Sequence, residues 1–314
     1  MSDIKRACGL LVIEVENSNP NGDPDRDGDP RQRPDGLGEI SPVSFKRKLR
    51  DIVEAKNPAV WKELKENVPC LNDDGFCILE TRERVWKTIL QEIHDNTFRN
   101  KYWDARLFGN TFLEGEDKVK ESFKGESKEG LDARVREVRH NIRTGVVQFG
   151  VGVSVKPITI RRNTQTKKAG AEEGKEQGMA PLGFRFVEYG VYVMPFFVNP
   201  NAADKSGCTA TDVELMLRLI PAAYPLNPST VRTMVAVRVA HYIEHKKVLG
   251  SFAELEILRK LTPRLRPVMD KTNADRFLGE YEVPTWDSVK GEYADKYHLY
   301  RELVSDKRDP KPNE

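Results

Sequence analysis

The run Gly9-Leu10-Leu11-Val12-Ile13-Glu14-Val15 is apolar at nearly every position and predicts a buried strand. Asn17 to Gly38 follows, rich in Asn, Gly and Pro, and predicts an irregular connection. Ser41-Pro42 opens a helix with Phe45, Leu49, Ile52 and Val53 on one face. Residues 56 to 140 read as mostly helical and heavily charged, with Trp61, Leu64, Val85, Trp86, Ile89 and Ile93 inward and Gly115 to Gly130 a polar loop. Val147, Phe149, Val151, Val153 and Val155 alternate, which predicts one strand with a single apolar face. A polar segment from Ile160 to Gly183 reads as a long hairpin returning into a strand over Phe186 to Val198. Thr211 to Ala223 predicts a helix capped by Thr209 or Thr211, and Val235 to Ile243 a further strand. The remaining tail is charged and Pro-punctuated, and ends in Asp309-Pro310-Lys311-Pro312, which is expected to fray.

The order strand, loop, helix, insertion, strands, helix, strand is compatible with an α+β, ferredoxin-like (RRM-like) βαββαβ core. The chain reads as a single domain over 1–314, with a helical insertion at about 56–135 and a hairpin at about 157–185.

Composition narrows the partners. The 314 residues carry 51 Lys and Arg against 49 Asp and Glu, a net charge of +2. Nucleic-acid affinity must therefore come from local patches. Cys8, Cys70, Cys77 and Cys208 contain no Cys-x-x-Cys pair, so reduced thiols in the cytoplasm are expected rather than a disulfide framework or a zinc site. The N-terminal residues do not read as a signal peptide, and no apolar run approaches the ~20 residues a spanning helix needs.

Several local features could carry chemistry. Glu16 to Glu39 is acidic. Asp23-Pro-Asp25-Arg-Asp27-Gly28-Asp29 opens like a calcium loop, but its twelfth position is Pro34 rather than Glu. Asp23 and Asp25 could instead hold Mg²⁺ for a nuclease, or the segment could be a Pro-rigid solvated turn. Lys46, Arg47, Lys48 and Arg50 crowd one helix with no acid among them, which suits a phosphodiester backbone or an ordinary solvated face. Arg134, Arg136, Arg139 and Arg143, then Arg161, Arg162, Lys167 and Lys168 on the hairpin, extend the basic character. Met179 ends the hairpin, where an apolar wedge could part stacked bases. The histidines form no metal-ligand spacing, no nucleophile motif is present, and no cofactor is expected.

Asn19-Pro-Asn-Gly-Asp-Pro24, Phe45-Lys-Arg-Lys-Leu-Arg50, Tyr102-Trp-Asp-Ala-Arg-Leu-Phe-Gly109, Arg143-Thr-Gly-Val-Val-Gln-Phe-Gly150, Tyr189-Gly-Val-Tyr192 and Phe197-Val-Asn-Pro-Asn-Ala202 stand in an order that resembles the crRNA-binding backbone subunits of type I CRISPR interference (Cascade) complexes, nearest to the type I-C and I-B branch. The resemblance implies a ferredoxin-like palm, helical fingers and a hairpin thumb. It implies a non-catalytic subunit that oligomerises in a helical filament along crRNA and presents the guide to target DNA. Its partners would be further copies, a large subunit, a subunit capping the crRNA 5′ end and a recruited helicase-nuclease. Lys46, Arg47 and Arg50 would hold phosphates. Asn21 and Gly22 would lie at the palm surface, Gln148 and Ser154 along the central strands, and Met179 near a displaced base. Rival readings are a metal-dependent endoribonuclease using Asp23 or Asp25, as in related type III subunits, and a generic single-stranded RNA-binding module.

Overall fold

The computed structural model describes residues 4–81, 84–112, 114–168, 179–305 and 307–310, with side chains at all of these except 165–168, 179–182 and 307–310. The apolar run lies in β1 (Ala7–Ser18), at the centre of a nine-stranded antiparallel sheet. Ala7, Leu11, Ile13 and Val15 face the main core, while Cys8, Leu10 and Val12 face two smaller clusters on the other side. Both faces are covered, so neither parity of the strand needs polar residues.

The remaining strands are β2 (Leu37–Ile40), β3 (Val147–Phe149), β4 (Gly152–Pro157), β5 (Ile160–Lys168), β6 (Met179–Val198), β7 (Val235–His245), β8 (Tyr297–Glu302) and β9 (Lys307–Pro310). Their spatial order is β9-β8-β7-β1-β6-β4-β2, with β3 and β5 also paired to β6.

α1 (Pro42–Ala55) begins where expected: Ser41 Oγ accepts from Ser44 N at 3.2 Å, and Pro42 takes the first turn. Phe45, Leu49, Ile52 and Val53 are buried. After α2 (Pro58–Asn67), whose Trp61 and Leu64 join the main core, come α3 (Trp86–His94), α4 (Trp103–Phe108), α5 (Glu116–Ser122) and α6 (Lys128–His140). They enclose a separate cluster that includes Ile89, Ile93, Phe98, Phe112, Val119 and Val138. α4 is buried all round: Ala105 belongs to that cluster, and Trp103, Leu107 and Phe108 to the main core. α7 (Ala210–Leu219) is capped by Thr209 in a reciprocal box with Asp212.

Four expectations need correction. Val85 is 59% exposed, because it precedes α3 instead of joining its apolar stripe. Gly115–Gly130 is no simple loop: it contains α5, anchored by buried Val119. The alternation from Val147 to Val155 is broken. Phe149 pairs with Phe196 and Val153 with Val193, so four residues advance on one strand against three on the other. That extra residue flips the faces: Val147 and Phe149 are buried, Val151 is exposed, and Gly152 and Ser154 are buried in their turn. The charged tail, finally, is a packed layer over its described residues, which end at Pro310; the expected fraying of Lys311 and Pro312 lies outside them. α8 (Glu254–Leu261), Trp286, Tyr293, Tyr297 and Tyr300 pack on Cys8, Leu10 and Ile243, and β8 pairs with β7. Short elements and scattered aromatics give no helical or strand period, which hid this layer from the sequence.

No helix among the described residues is long and apolar enough to cross a membrane.

Candidate nucleic-acid interface

Three segments, distant in sequence, meet at one edge of the sheet. The loop after β1 is built by its own polar groups. Asn19 Nδ2 donates to Gly28 O at 2.9 Å. Asn21 Oδ1 accepts from Ser41 N at 2.7 Å, which ties the loop to the start of α1. Arg31 N donates to Asn21 O at 3.0 Å, and Gly22 is bridged to Pro30. Asp23 caps the 3-10 turn Pro24–Arg26 by accepting from Asp25 N at 3.2 Å, and its carboxylate lies 3.6 Å from Arg31 Nη2. Asp27 takes a left-handed conformation with φ 52°. Local capping and turn formation thus account for Asp23. Among the described residues no group of three or more His, Cys, Asp or Glu is placed to hold a metal.

The loop also reaches the hairpin. β5 and β6 pair from Ile160 opposite Val187 to Lys168 opposite Met179. Near its base, Arg162 donates to the carboxylate of Asp29, and Arg185 Nε lies 3.5 Å from the same group. Arg185 also donates to Asp27 O. Asp29 is almost wholly buried, and the Arg162 hydrogen bond holds its carboxyl below the ordinary aspartate range. Arg161 is exposed and pairs with Glu188 at 3.0 Å. The side chains of Lys167, Lys168 and Met179 lie outside the described residues.

α1 divides its cations. Lys46 is half-buried, with its ammonium 5.5 Å from the Phe108 ring centroid. Burial, and then the charge of Arg50, pull its pKa below the usual lysine value. Arg47 is held by Asp51 at 2.6 Å and Glu54 at 2.8 Å. Arg50 is enclosed: its Nε donates to Asp104 Oδ2 at 2.8 Å, and the two side chains are 4% and 1% exposed. The basic run Lys46–Arg50 itself contains no acid. The acids come one and two turns later and from α4, and only Lys46 of the three is left without an ion pair among the described residues.

Arg143 is half-buried, with Nη1 donating to Ile142 O at 3.1 Å. Gln148 is exposed on β3 and Arg143 precedes it, so both remain near the surface. Ser154 is not on the surface. Its Oγ accepts from Gly38 N at 2.8 Å and donates to Lys156 O at 2.6 Å, which clamps β4 to the start of β2.

The most distinctive motif segments serve architecture. Asp104 Oδ1 accepts from Leu79 N at 2.7 Å. Arg106 makes a forked pair with Asp212 at 2.7 and 3.1 Å and donates to the Gly75, Arg99 and Asn100 carbonyls. These contacts fasten the helical insertion to α7. Gly109 pairs with Thr144, and a Cβ on Gly145 would stand 2.2 Å from Gly109 N, so the two segments meet backbone against backbone. Arg185 and Asp29 were missed as partners because no local spacing links a loop to a hairpin more than 150 positions away.

The family model described as CRISPR-associated protein Cas7 matches residues 5–285. A protein of Haloferax volcanii described as CRISPR-associated protein Cas7 is 26% identical over 274 residues, covering 80% of this chain and 73% of its own length. A solved structure titled CRISPR RNA-guided surveillance complex, pre-nicking, aligns at TM-score 0.46 and 15% identity, over 76% of this chain and 78% of its own. Another, titled CRISPR RNA-guided surveillance complex, aligns at 0.41 and 16%, over 76% of this chain and 68% of its own. With the family match running from β1 through α8, the chain belongs to the CRISPR-associated Cas7 family.

Proposed function

We propose that this chain is a non-catalytic, cytoplasmic backbone subunit of a CRISPR RNA-guided surveillance complex, one that lines up with further copies along crRNA and presents the guide to target DNA. One observation carries the reading: the loop from Asn19 to Arg31, the start of α1 and the base of the β5–β6 hairpin form one continuous strip through the Asn21–Ser41, Asp29–Arg162 and Asp27–Arg185 contacts. The strand order β7-β1-β6-β4, with α1 and α7 as crossovers, supports a ferredoxin-like palm. The separate cluster of the insertion supports fingers at about 56–135, and the β5–β6 hairpin a thumb at about 157–185. An RRM exposes its sheet face to bases. Here α8 and the following aromatics cover that face, so RNA runs along the edge strip instead. Lys46, Arg161, Arg162, Arg143 and Gln148 stay in the proposed interface with the hairpin lysines. Asn21 and Gly22 shape its loop, and Arg50 and Ser154 leave it for structural roles. The partners proposed are crRNA, target DNA, further copies, a large subunit, a 5′-end-capping subunit and a recruited helicase-nuclease.

The test is the nucleic acid that copurifies. RNA with a constant repeat-derived end, and particles whose length grows with the RNA offered, are expected. A lone monomer without RNA, even when given mature CRISPR transcripts, overturns the proposal. Complementary target RNA incubated with the assembled complex and Mg²⁺ should stay intact. Regularly spaced cuts lost on Asp23→Ala would instead make the chain a nuclease.

A further inference from the structure

Lys48 lies on the opposite side of α1 from Lys46, since two residues turn a helix by about 200°. It is 5% exposed. The connection between α7 and β7 packs against it: Asn227 Nδ2 donates to Lys48 O at 3.0 Å, and Asn19 N donates to Val231 O at 2.6 Å. Arg232 sits on that connection. Among the described residues neither the Lys48 ammonium nor the Arg232 guanidinium makes a hydrogen bond or an ion pair, in contrast to Arg47, Arg50, Arg106 and Arg162. A buried ammonium without an ion pair, packed beneath a half-buried guanidinium that also has none, is unfavourable. Burial first, then the nearby Arg232, drive the Lys48 pKa down to about 8. The opposing carboxylate, Asp51, is already engaged by Arg47.

The other polar groups here are also unsatisfied. Ser229 Oγ and Tyr224 Oη are buried and have no hydrogen-bond partner among the described residues, and Arg232 N donates to Ser229 O at 2.9 Å. An ammonium, a guanidinium fork and free hydroxyls are a set of donors awaiting an anion with several acceptor oxygens.

We propose that Lys48, Arg232 and the Ser229 hydroxyl form a pocket for one phosphodiester group of bound RNA. The proposal rests on the RNA-binding reading above and adds a contact on the far side of α1 from Lys46. RNA is favoured over a carboxylate of a second copy for two reasons. The pocket adjoins Asn19, at the root of the loop that the strip follows. Asp27 and Asp29, the acids that loop would offer a neighbour, are already held by Arg185 and Arg162.

Lys48→Met and Arg232→Gln, each in the full-length chain, test this against a single-stranded RNA by salt titration. Lys48→Met keeps the volume and removes a buried charge, so it should melt no lower than the parent without RNA. Arg232→Gln is the less buried site and guards against a folding artefact at Lys48. Each variant should bind about tenfold more weakly, and lower the slope of log affinity against log salt by about 0.7, the value of one phosphate contact on a single strand. Unchanged affinity and slope in both variants, with the parent still binding, overturn the pocket and leave the RNA-binding reading intact. Unchanged RNA affinity with lost self-association assigns the cations to a neighbour's carboxylate and also overturns it. A parent that binds no RNA overturns both.

Discussion

Arg50 offers the sharpest separation between a phosphate ligand and a structural ion. Its Nε lies 2.8 Å from Asp104 Oδ2, and both side chains are almost free of solvent contact. Phe108 stacks beneath, 5.1 Å from the guanidinium. Removing one partner of such a pair leaves an uncompensated buried charge and costs about 3–5 kcal/mol. The two sides are unequal. Arg50→Ala leaves Asp104 with the Leu79 and Glu80 amides, so the low end, about 3 kcal/mol, is expected. Asp104→Ala leaves the guanidinium with only the half-exposed Glu80 carboxylate, 3.4 Å from Nη2, and deprives the Leu79 and Glu80 amides of their acceptor, which adds the about 1–3 kcal/mol of a buried unsatisfied donor. Equilibrium urea unfolding, followed by circular dichroism, measures the difference. With a slope near 3 kcal/mol/M for a chain of this size, Arg50→Ala should lower the midpoint by about 1 M and Asp104→Ala by clearly more. Against a total stability of about 5–15 kcal/mol, Asp104→Ala leaves a marginal fold. The double variant should lose less than the two singles combined, because each charge is then absent from the other's site. The RNA salt slope of Arg50→Ala should match the parent. A midpoint within about 0.3 M of the parent, joined to a slope reduced by one contact, would show that Arg50 leaves Asp104 for phosphate and would refute the reasoning.

Gly145→Ala should destabilise by about 3 kcal/mol or more, since the new methyl meets the Leu107–Gly109 backbone; a urea midpoint equal to the parent's would show that the two segments separate freely. His241 is buried, with Nδ1 2.9 Å from Tyr300 Oη and a folded pKa pushed down to about 4, mainly by burial. The unfolded chain binds this proton near pH 6.5 while the folded chain does not until about pH 4, so stability falls as pH drops between these values, by about 3 kcal/mol in all. His241→Gln should lack that part of the acid limb, and superimposable pH–stability curves would contradict it. Asp29→Asn should free Arg162 and Arg185 and tighten single-stranded RNA binding several-fold at constant salt; weaker binding would mean that the carboxylate positions these arginines for RNA.

The sequence exposed what depends on short-range period. β1, α1 with its Ser41 cap, α7 with its Thr209 cap and β7 all follow from local patterns of apolar and capping residues. It misread β3 and β4 because one inserted residue reverses a period of two without changing composition. It missed the C-terminal layer because Trp286, Tyr293, Tyr297 and Tyr300 work through stacking rather than spacing, as in the 4.5 Å Trp286–Tyr300 contact. At the candidate interface the residue types were legible and their partners were not. Whether a cation faces solvent or a carboxylate was decided by Asp104 for Arg50 and by Asp29 for Arg162, both far away in the chain.

Under the proposed function, the acidic loop would explain how a chain of nearly zero net charge holds a polyanion without gripping every one it meets. Asp27 and Asp29 pair with the hairpin arginines, so on that reading a phosphate must replace a carboxylate rather than simply add to a bare cation. Each such exchange gains only the difference between two anions, and the salt dependence of binding then reports fewer contacts than a count of basic residues suggests. Affinity must accumulate over many sites along a strand. On the proposed reading, such an arrangement would favour a long guide shared by several copies over a short oligonucleotide held by one, with the base edges left to pairing.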